Sequence, residues 1–218
     1  SPDVLEENGR SVEEQLRALH LLAPKGGPTH AALLLLGRDP RQWLPGAYVQ
    51  FVRYEGDDLT SPILDQKELG GRLPDVLRHV DDLTHINVRI ETRVEGAATE
   101  QQRPDYPVAA LQQLLRNAVL HRTYETNGPV YWYWFSDRVE IHSPGGLYGR
   151  VNAENFGTAG VTDYRNPTLA EGLKVLRFLQ RFGMGIALAR RRCQENGNPE
   201  PEFTFSPAAV LATVRRRP

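Results

Sequence analysis

Residues 107–142 constrain the fold of this chain most, because a helical pattern there runs straight into a strand pattern. In PVAALQQLLRNAVLHRTYE, apolar residues recur at helical spacing and Pro107 suits a first turn. The following GPVYWYWFSDRVEIHSPGG alternates as two strands, at 129–135 and 138–142, with a tight turn between them and glycines after them. A helix followed directly by a hairpin predicts an α+β protein.

The N-terminal half contains start and stop signals for further elements. Ser11, three residues before Glu14, predicts a capping-box helix from about 11 to 22. The short apolar run AALLLLG, at 31–37, predicts a buried strand, and AYVQFVRYEG predicts a second strand paired with it. After these, the pattern predicts a short strand at ILDQKEL, a helix at LPDVLRHVDDLTHI, a strand at VRIETRVE and a polar loop at GAATEQQRPDY.

The C-terminal half alternates in the same way. Residues 147–168 form a long loop rich in Gly, Asn and Thr, a type of segment that often serves as a lid or binding loop. Helices are predicted from about 168 to Gly183 and at GIALARRRCQENG, and FTFSP and AVLATVRR close the chain as two strands. This order predicts an α+β fold with helices on a mostly antiparallel mixed sheet. A composition shift near 97–107 divides the chain into a smaller α/β segment, 1–100, and a second domain, 101–218.

Composition and charge exclude several classes of protein. The 218 residues include no apolar run of about 18 residues, and SPDVLEENGR carries no export or transit signal. The one cysteine, Cys193, fits a reducing compartment, so we expect a cytoplasmic protein with no membrane partner. A net charge of -1 gives no overall attraction for nucleic acid, and the arginine runs at 190–192 and 215–217 are typical of solvated surfaces.

The predicted helix in 107–124 carries a polar stripe beside its apolar face. Gln113, Asn117 and His121 are spaced at i, i+4 and i+8, so their side chains lie one above another. Further along, Gly183 and Gly185 precede a helix, and unobstructed backbone N–H groups at a helix N-terminus favour a phosphate. A magnesium ion on such phosphates needs only one or two protein oxygens, and Asn117 can supply one.

Four segments in this order resemble the nucleotide-binding domain of the GHKL superfamily. The closer resemblance is to its divergent branch in bacterial transcriptional regulators, the RecG-like helicase C-terminal domain family. The matching residues are Asn117, Ala118, His121, Arg122 and Tyr124, then IHSPGGL at 141–147, RNPTLA at 165–170 and RFGMGI at 181–186. Upstream, SVEEQLRALHLL, GGPTHAALLLLGRDP and the PGA before AYVQ also match, so the resemblance covers nearly the whole chain.

The resemblance implies a two-layer GHKL-like domain that binds ATP with Mg. The catalytic glutamate of the family falls on Gln113, and an amide cannot act as a base, so hydrolysis is expected to be weak or absent. The aspartate that reads adenine falls near Ser143, and Thr123 replaces another family aspartate. The implied site residues are Gln113 and His121 at the catalytic positions, Asn117 on the metal, and Asn117, Gly145, Gly146, Arg165, Asn166, Gly183 and Gly185 on the nucleotide.

The resemblance also implies partners outside these residues. In the family an Alba-type, Schlafen-like DNA-binding domain and a winged-helix segment often flank this region, so DNA would be bound only through flanking domains. The chain looks like a middle fragment of such a regulator. Its oligomeric state is left open, with a homodimer as one alternative. It contains neither GxxxxGK[ST] nor a DEAD-like strand motif, so its residues give no support to helicase activity.

Two alternatives remain open. Arg116, Asn117 and His121 match the R-N-x-x-x-H pattern of HEPN-type ribonucleases, in which the histidine is a general acid or base and the arginine stabilises phosphorane charge. Those domains are all-helical, whereas a hairpin follows this helix. The other alternative is a degenerate fold that serves as a dimerisation or interaction module without nucleotide. As a strand, the aromatic stretch 131–135 places Tyr131, Tyr133 and Phe135 on one face and its two tryptophans on the other, and exposed aromatics could stack bases or form a partner interface. No basic groove is adjacent in the sequence, which favours core packing.

Overall fold

The computed structural model describes residues 9–95, 99–179 and 183–218, with the backbone alone for 91–95 and 99–102. Its helices are α1 Val12–Ala18, α2 His30–Leu36, α3 Leu73–Asn87, α4 Val108–His121, α5 Pro167–Val175 and α6 Gly185–Asn196. Its strands are β1 Val49–Tyr54, β2 Ile63–Leu69, β3 Ile90–Glu95, β4 Thr99–Pro104, β5 Val130–Trp134, β6 Arg138–Pro144, β7 Glu202–Phe205 and β8 Ala209–Arg215. Within these ranges, no helix combines the length and the apolar character that crossing a membrane requires.

Six strands form one mixed sheet in the order β2-β1-β5-β6-β8-β7. Only β1 and β5 are parallel, and the other neighbours in this sheet are antiparallel. Strands β3 and β4 make a separate two-stranded ribbon. The α+β fold with a mostly antiparallel mixed sheet is thereby confirmed. The large sheet takes strands from both sides of residue 100, and the division of the chain at that residue stays a prediction.

The helices cover one face of the large sheet and produce a two-layer sandwich. Helix α4 packs against β6 and β8, α3 packs against α4, and α6 packs against α4. On β5, Trp132 and Trp134 point into this layer and are almost fully buried, whereas Tyr131 is 37% exposed on the other face. The predicted alternation of the aromatic strand is therefore confirmed. On the opposite face Phe135 packs with Val52 and Tyr54.

The first helix begins as predicted and ends earlier. The Ser11 hydroxyl accepts from the Glu14 backbone N–H, and the Glu14 carboxylate accepts from the Ser11 N–H, which completes the capping box. The helix ends at Ala18 because His20 adopts a left-handed backbone with φ of 55°. That turn lets the Leu21 N–H donate to the Leu16 carbonyl and buries Leu21 in the core.

The run at 31–37 is a helix, so the predicted buried strand is wrong. Thr29 caps α2 by accepting from the Ala32 N–H, and Ala32, Leu34 and Leu35 are buried against the core. A short apolar run satisfies either structure, and here the threonine cap selects the helix. The predicted pairing of this segment with β1 is wrong as well, because β1 lies between β2 and β5.

The predicted loop at 96–106 contains β4, so that prediction is wrong for residues 99–104. Its sequence TEQQRP has no apolar alternation, and the pairing of Ile90 with Pro104 through Glu95 with Thr99 is a backbone ladder. Helix α5 stops at Val175, short of the predicted Gly183, and Arg177 follows with a left-handed φ of 62°. Residues 96–98 and 180–182, with Arg181 and Phe182 of the RFGMGI segment, lie outside the described residues.

Candidate functional site

A cavity lies between α4, the large sheet, the loop 145–166 and the start of α6. Its volume is about 150 Å³, roughly ten times what one water molecule needs, so it is large enough for part of an organic ligand. Of the predicted site residues, the structure brings six together with His121 on its walls: Gln113, Asn117, Gly145, Gly146, Gly183 and Gly185. Arg165 and Asn166 are not on its walls.

The floor of the cavity is the helix-facing side of three strands. Ile141 on β6, Ala212 on β8 and Phe203 on β7 lie in register and present apolar surface. Ser143 follows Ile141 on the same face of β6 and is buried. Its hydroxyl donates to the Ala118 carbonyl of α4 at 2.9 Å. That bond ties α4 to the sheet. The hydroxyl therefore already has an acceptor in the protein.

One end of the cavity is the N-terminus of α6. A Cβ placed on Gly185 would lie 2.9 Å from Asn117 Nδ2 and 3.4 Å from Gln113 Oε1, so α4 and α6 approach each other closely at this glycine. Asn117 Nδ2 is buried without a hydrogen-bond partner. Met184 at the N-cap of α6 makes no side-chain cap, so the first N–H groups of the helix keep their donor capacity. Unused donors and a positive helix end thus meet here.

Thr162 adds a third polar side chain at the same end. A Cβ on Gly183 would lie 2.0 Å from Thr162 Cγ2 and 3.5 Å from its hydroxyl, so the loop packs directly on the glycine turn. Gly183 itself has a positive φ of 60°, which favours glycine. Sequence reasoning missed Thr162. The only signal for it was the unusual length of the loop.

His121 is half-buried at the C-terminal end of the α4 stripe and stacks on Tyr164. Their ring centroids are 5.4 Å apart and the rings are 13° from parallel. Burial is the main cause that lowers the pKa of His121 to about 4, and the charge of Arg165 adds to it. The imidazole is therefore neutral at pH 7. Its place in the stack is that of a packing residue on the cavity wall.

Arg165 and Asn166 bind the end of α4. Asn166 Nδ2 donates to the carbonyls of Leu120 and Arg122 at 2.8 and 2.9 Å. Arg165 donates to the carbonyls of His121 and Gly146 at 3.3 and 2.9 Å. The last carbonyls of a helix lack intrahelical partners, and these two side chains supply donors for them. The resemblance implies that both residues contact the nucleotide, and this stays a prediction. In the structure their side chains bind backbone carbonyls.

The Gly145–Gly146 turn packs against the β7–β8 connection. The Gly145 N–H donates to the Ala208 carbonyl at 2.7 Å, and the Gly146 N–H donates to the Pro207 carbonyl at 3.1 Å. A Cβ on Gly146 would lie 2.6 Å from the Ser206 carbonyl oxygen. Both amides already have acceptors in the chain. The turn lines the cavity, while its glycines serve close packing of backbone on backbone.

The loop 147–166 roofs the cavity and is fixed by its own contacts. Arg150 donates from Nε and Nη2 to the Thr162 carbonyl at 3.1 and 2.9 Å, and the Asp163 carboxylate accepts from the backbone N–H groups of Arg150 and Tyr164. Phe156 packs its ring against Phe203 and Phe205 of β7, with centroids 4.9 and 4.8 Å apart. Neither Phe156 nor Tyr164 carried a signal in the sequence.

Arg116 and Arg122 lie away from the cavity. Arg116 donates to the Asp81 carboxylate of α3 at 2.8 Å, which places its guanidinium between the two helices. Arg122 is 1% exposed and donates to the carbonyls of Gly46 and Gly128. The ribonuclease pattern is therefore split, since Asn117 and His121 line the cavity and Arg116 does not. Among the described side chains, no group of three or more His, Cys, Asp or Glu could hold a metal ion.

The C-terminal part of the chain is similar to a known family. Residues 129–214 match the family model described as "Putative ATP-dependent DNA helicase recG C-terminal". The match covers β5 to β8, the Gly145–Gly146 turn and α6, and α4 precedes it. No match was found among curated proteins.

A solved structure shares the fold. The crystal structure of the DIP2311 protein from Corynebacterium diphtheriae superimposes with a TM-score of 0.75 at 21% sequence identity, over 97% of this chain. The chain spans 42% of the length of that protein. The likeness shows the two-layer fold over nearly all of this chain, and the part of the chain that forms the sheet floor and α6 resembles the RecG C-terminal family.

Proposed function

We propose that this chain is a nucleotide-binding regulatory domain that holds ATP, with its phosphates at the N-terminus of α6. The observation that carries the proposal is the meeting of Asn117 and Gln113 with Gly185. Among the described residues Asn117 Nδ2 is buried without a hydrogen-bond partner, and Gln113 Oε1 lies near the same glycine. A buried donor without a partner is costly, and a phosphate oxygen is the acceptor that such a site fits. The family match to an ATP-dependent protein supports the same ligand.

The donor set is compatible with magnesium that arrives with the nucleotide. Asn117 Oδ1 is the residue oxygen that would hold the ion, and phosphates and water would complete its coordination. A bound ion would neutralise part of the phosphate charge in a cavity whose described lining has no Lys or Arg. Asn117 is a neutral ligand, and the described side chains contain no group of three or more His, Cys, Asp or Glu that could hold the ion without the phosphates. We therefore expect magnesium and nucleotide to bind together.

Hydrolysis is proposed to be weak or absent. Gln113 occupies the position from which a carboxylate would take a proton from the attacking water, and its amide has no such basicity. Asp163 also lines the cavity, but its carboxylate accepts from two backbone N–H groups of the roof loop. A nucleotide that is held and not hydrolysed can still shift a conformational equilibrium. We also propose that the domain belongs to a cytoplasmic transcriptional regulator, which would bind DNA through domains that flank it.

Calorimetry on this chain tests the binding. ATP with Mg is titrated to millimolar concentration into the wild type, Asn117→Ala and Gly128→Ala. We expect heat with the wild type and a dissociation constant about tenfold higher in Asn117→Ala. Gly128→Ala is the matched control, because a Cβ there meets nothing within 4 Å. Absence of both heat and a thermal shift in the wild type would overturn the proposal and favour a nucleotide-free interaction module.

Phosphate release tests the missing base. Gln113→Glu places a carboxylate at the same position on α4, and we expect turnover of ATP to rise by about a hundredfold if the carboxylate reaches the attacking water. Gln113→Leu, which removes the polar group at similar size, serves as the comparison. Equal rates in Gln113→Glu and Gln113→Leu would mean that the position does not face the terminal phosphate.

A further inference from the structure

Strand β2 is one edge of the large sheet and is exposed along most of its length. It lies at the end of the strand order, and in the part of the chain that the structure describes only β1 pairs with it. Of its seven residues Leu69 alone is buried, while Ile63 and Leu64 are 53% and 56% exposed. The opposite edge, β7, is shorter, with four residues. A long exposed edge offers N–H and C=O groups to another strand.

Alternate residues of β2 direct their backbone groups away from β1. The Tyr48 carbonyl accepts from a backbone N–H of β5, so the backbone of Phe51, three positions later, faces β2. Phe51 pairs with Lys67, and the backbone groups of Lys67 therefore face β1. The residues on either side of Lys67 have the opposite orientation, so the N–H and C=O of Gln66 and Glu68 face the open side of the edge.

We propose that β2 pairs antiparallel with β2 of a second copy of this chain, with the two-fold axis at Gln66. The outward-facing backbone groups of the two Gln66 residues then bond each other. Next to the axis, Asp65 lies opposite Lys67 of the second copy, and symmetry repeats this pair on the other side. Opposite charges directly across two strands stabilise the pairing. The large sheet thereby continues into the sheet of the second copy.

The charges on β2 favour this register over its neighbours. An axis at Asp65 would place the two Asp65 carboxylates opposite each other, and an axis at Lys67 would place the two lysines opposite each other. Like charges directly opposite destabilise a strand pair, whereas the axis at Gln66 places only unlike charges together at these positions. Strands that lack this order of charges fit the edge less well, so its sequence favours a second copy.

Both charged side chains can reach a second strand. Asp65 and Lys67 form an ion pair on their own strand and are 39% and 44% exposed, so each can gain another partner at the axis. A net charge of -1 leaves little overall repulsion between two copies. The register between β1 and β2 shifts between Arg53 and Tyr54, so the regular part of the edge begins at Asp65. The paired segment is therefore short, and we expect a dissociation constant in the micromolar range.

Sedimentation of this chain at loading concentrations from about 1 to about 500 µM tests the pairing, and we expect the wild type to pass from monomer to dimer. Lys67→Asp places two carboxylates opposite each other on both sides of the axis, so its dissociation constant should rise at least about tenfold. Adding Asp65→Lys restores unlike pairs, and the double variant should return to within about threefold of the wild type. Lys25→Asp, at an exposed turn, is the matched control for net charge and should leave the constant unchanged.

Two results of this experiment would overturn the inference. One is a wild type that stays monomeric at every concentration, which would leave the edge to a different strand. The other is a dimer that Lys67→Asp does not weaken or that the double variant does not restore, because the interface would then lie elsewhere on the chain.

Cross-linking tests the register. Gln66→Cys places one thiol of each copy at the axis, where the paired Cα atoms lie about 5.5 Å apart, within reach of a disulfide. Glu68→Cys is the matched control, because its two copies are offset by about 14 Å along the strands. The native Cys193 is buried. With oxidised glutathione we expect a covalent dimer from Gln66→Cys and none from Glu68→Cys. Equal amounts from both variants, or none from either, would overturn the inference.

Discussion

Two glycine pairs line the same cavity and have different partners. The N–H groups of Gly145 and Gly146 donate to carbonyls of the β7–β8 connection, so chain fills the space that the glycines leave. Gly183 and Gly185 open α6, where the neighbours are Thr162 and two carboxamides, and the Nδ2 of Asn117 is buried without a hydrogen-bond partner. A glycine pair in a sequence predicts close approach. Whether the approaching group is the protein itself or a ligand depends on which hydrogen-bonding groups around the glycines already have partners in the structure.

The largest expected effect tests the structural role of the first pair. Gly146→Ala places a Cβ 2.6 Å from one backbone oxygen and 2.9 Å from another, and backbone cannot yield as a flexible side chain can. We expect the free energy of unfolding in urea to fall by about 3 kcal/mol. Gly128→Ala, with open space around its Cβ, is expected to change it by less than about 0.5 kcal/mol. Similar values for the two variants would remove the distinction between the turns.

Acid is expected to lower the stability of the fold through His121, which lies at the C-terminal end of α4. The folded-state pKa of His121 is about 4 against 6.5 when unfolded, so both states are neutral above pH 6.5 and only the unfolded state binds the proton as pH falls toward 4. The free energy of unfolding therefore falls as the pH drops below 6.5, and the loss reaches about 2 kcal/mol at pH 5. Urea unfolding at pH 7 and pH 5 measures the loss. His121→Gln should show a pH dependence smaller by that amount, and an identical dependence would contradict the burial argument.

The second pair is tested through binding. Gly185→Ala brings a methyl group 2.9 Å from Asn117 Nδ2, which is the end of a side chain and can move. Alanine also favours a helix, so the free energy of unfolding should change by less than about 1 kcal/mol. The affinity for ATP with Mg should fall about tenfold, or about 1.4 kcal/mol, as measured by calorimetry. A loss of stability as large as that of Gly146→Ala, with unchanged affinity, would make both turns structural.

The smallest effect concerns the residues that bind the end of α4. Asn166→Ala removes two donors from the carbonyls of Leu120 and Arg122, and we expect a loss of about 1 kcal/mol in the free energy of unfolding. ATP affinity should change by less than threefold, because Asn166 is not on the cavity wall. If Asn166→Ala instead lowered affinity tenfold at unchanged stability, the nucleotide contact inferred from the resemblance would be supported.

Local signals predicted many elements of the fold. The capping box at Ser11, the aromatic hairpin and the stripe on α4 each depend on neighbours within a few residues, and the structure contains all three. The run at 31–37 failed because seven apolar or glycine residues fit a strand or a helix equally well. Strand β4 failed because its polar sequence is held in a backbone ladder with β3, which leaves no side-chain pattern to read.

The sequence predicted which residues of α4 lie together at the candidate site. It could not predict the contacts that each candidate residue makes. Helical spacing alone aligned Gln113, Asn117 and His121, and all three line the cavity. It could not show that Arg165 and Asn166 bind carbonyls at the end of α4, since those contacts span more than forty positions of the chain. Nor could it indicate Thr162 or Phe156, whose positions depend on how a long loop closes over the sheet.

By itself, the sequence determined the polar stripe, the glycine positions and the absence of a carboxylate at Gln113, because these follow from residue identity and short-range periodicity. The tertiary structure decided which glycine N–H groups are already bonded, which side chains remain without partners and where apolar surface is left. Those properties depend on contacts between α4, α6, the roof loop and three strands. No local pattern encodes them, because each arises only when distant segments pack and compete for the same hydrogen-bonding groups.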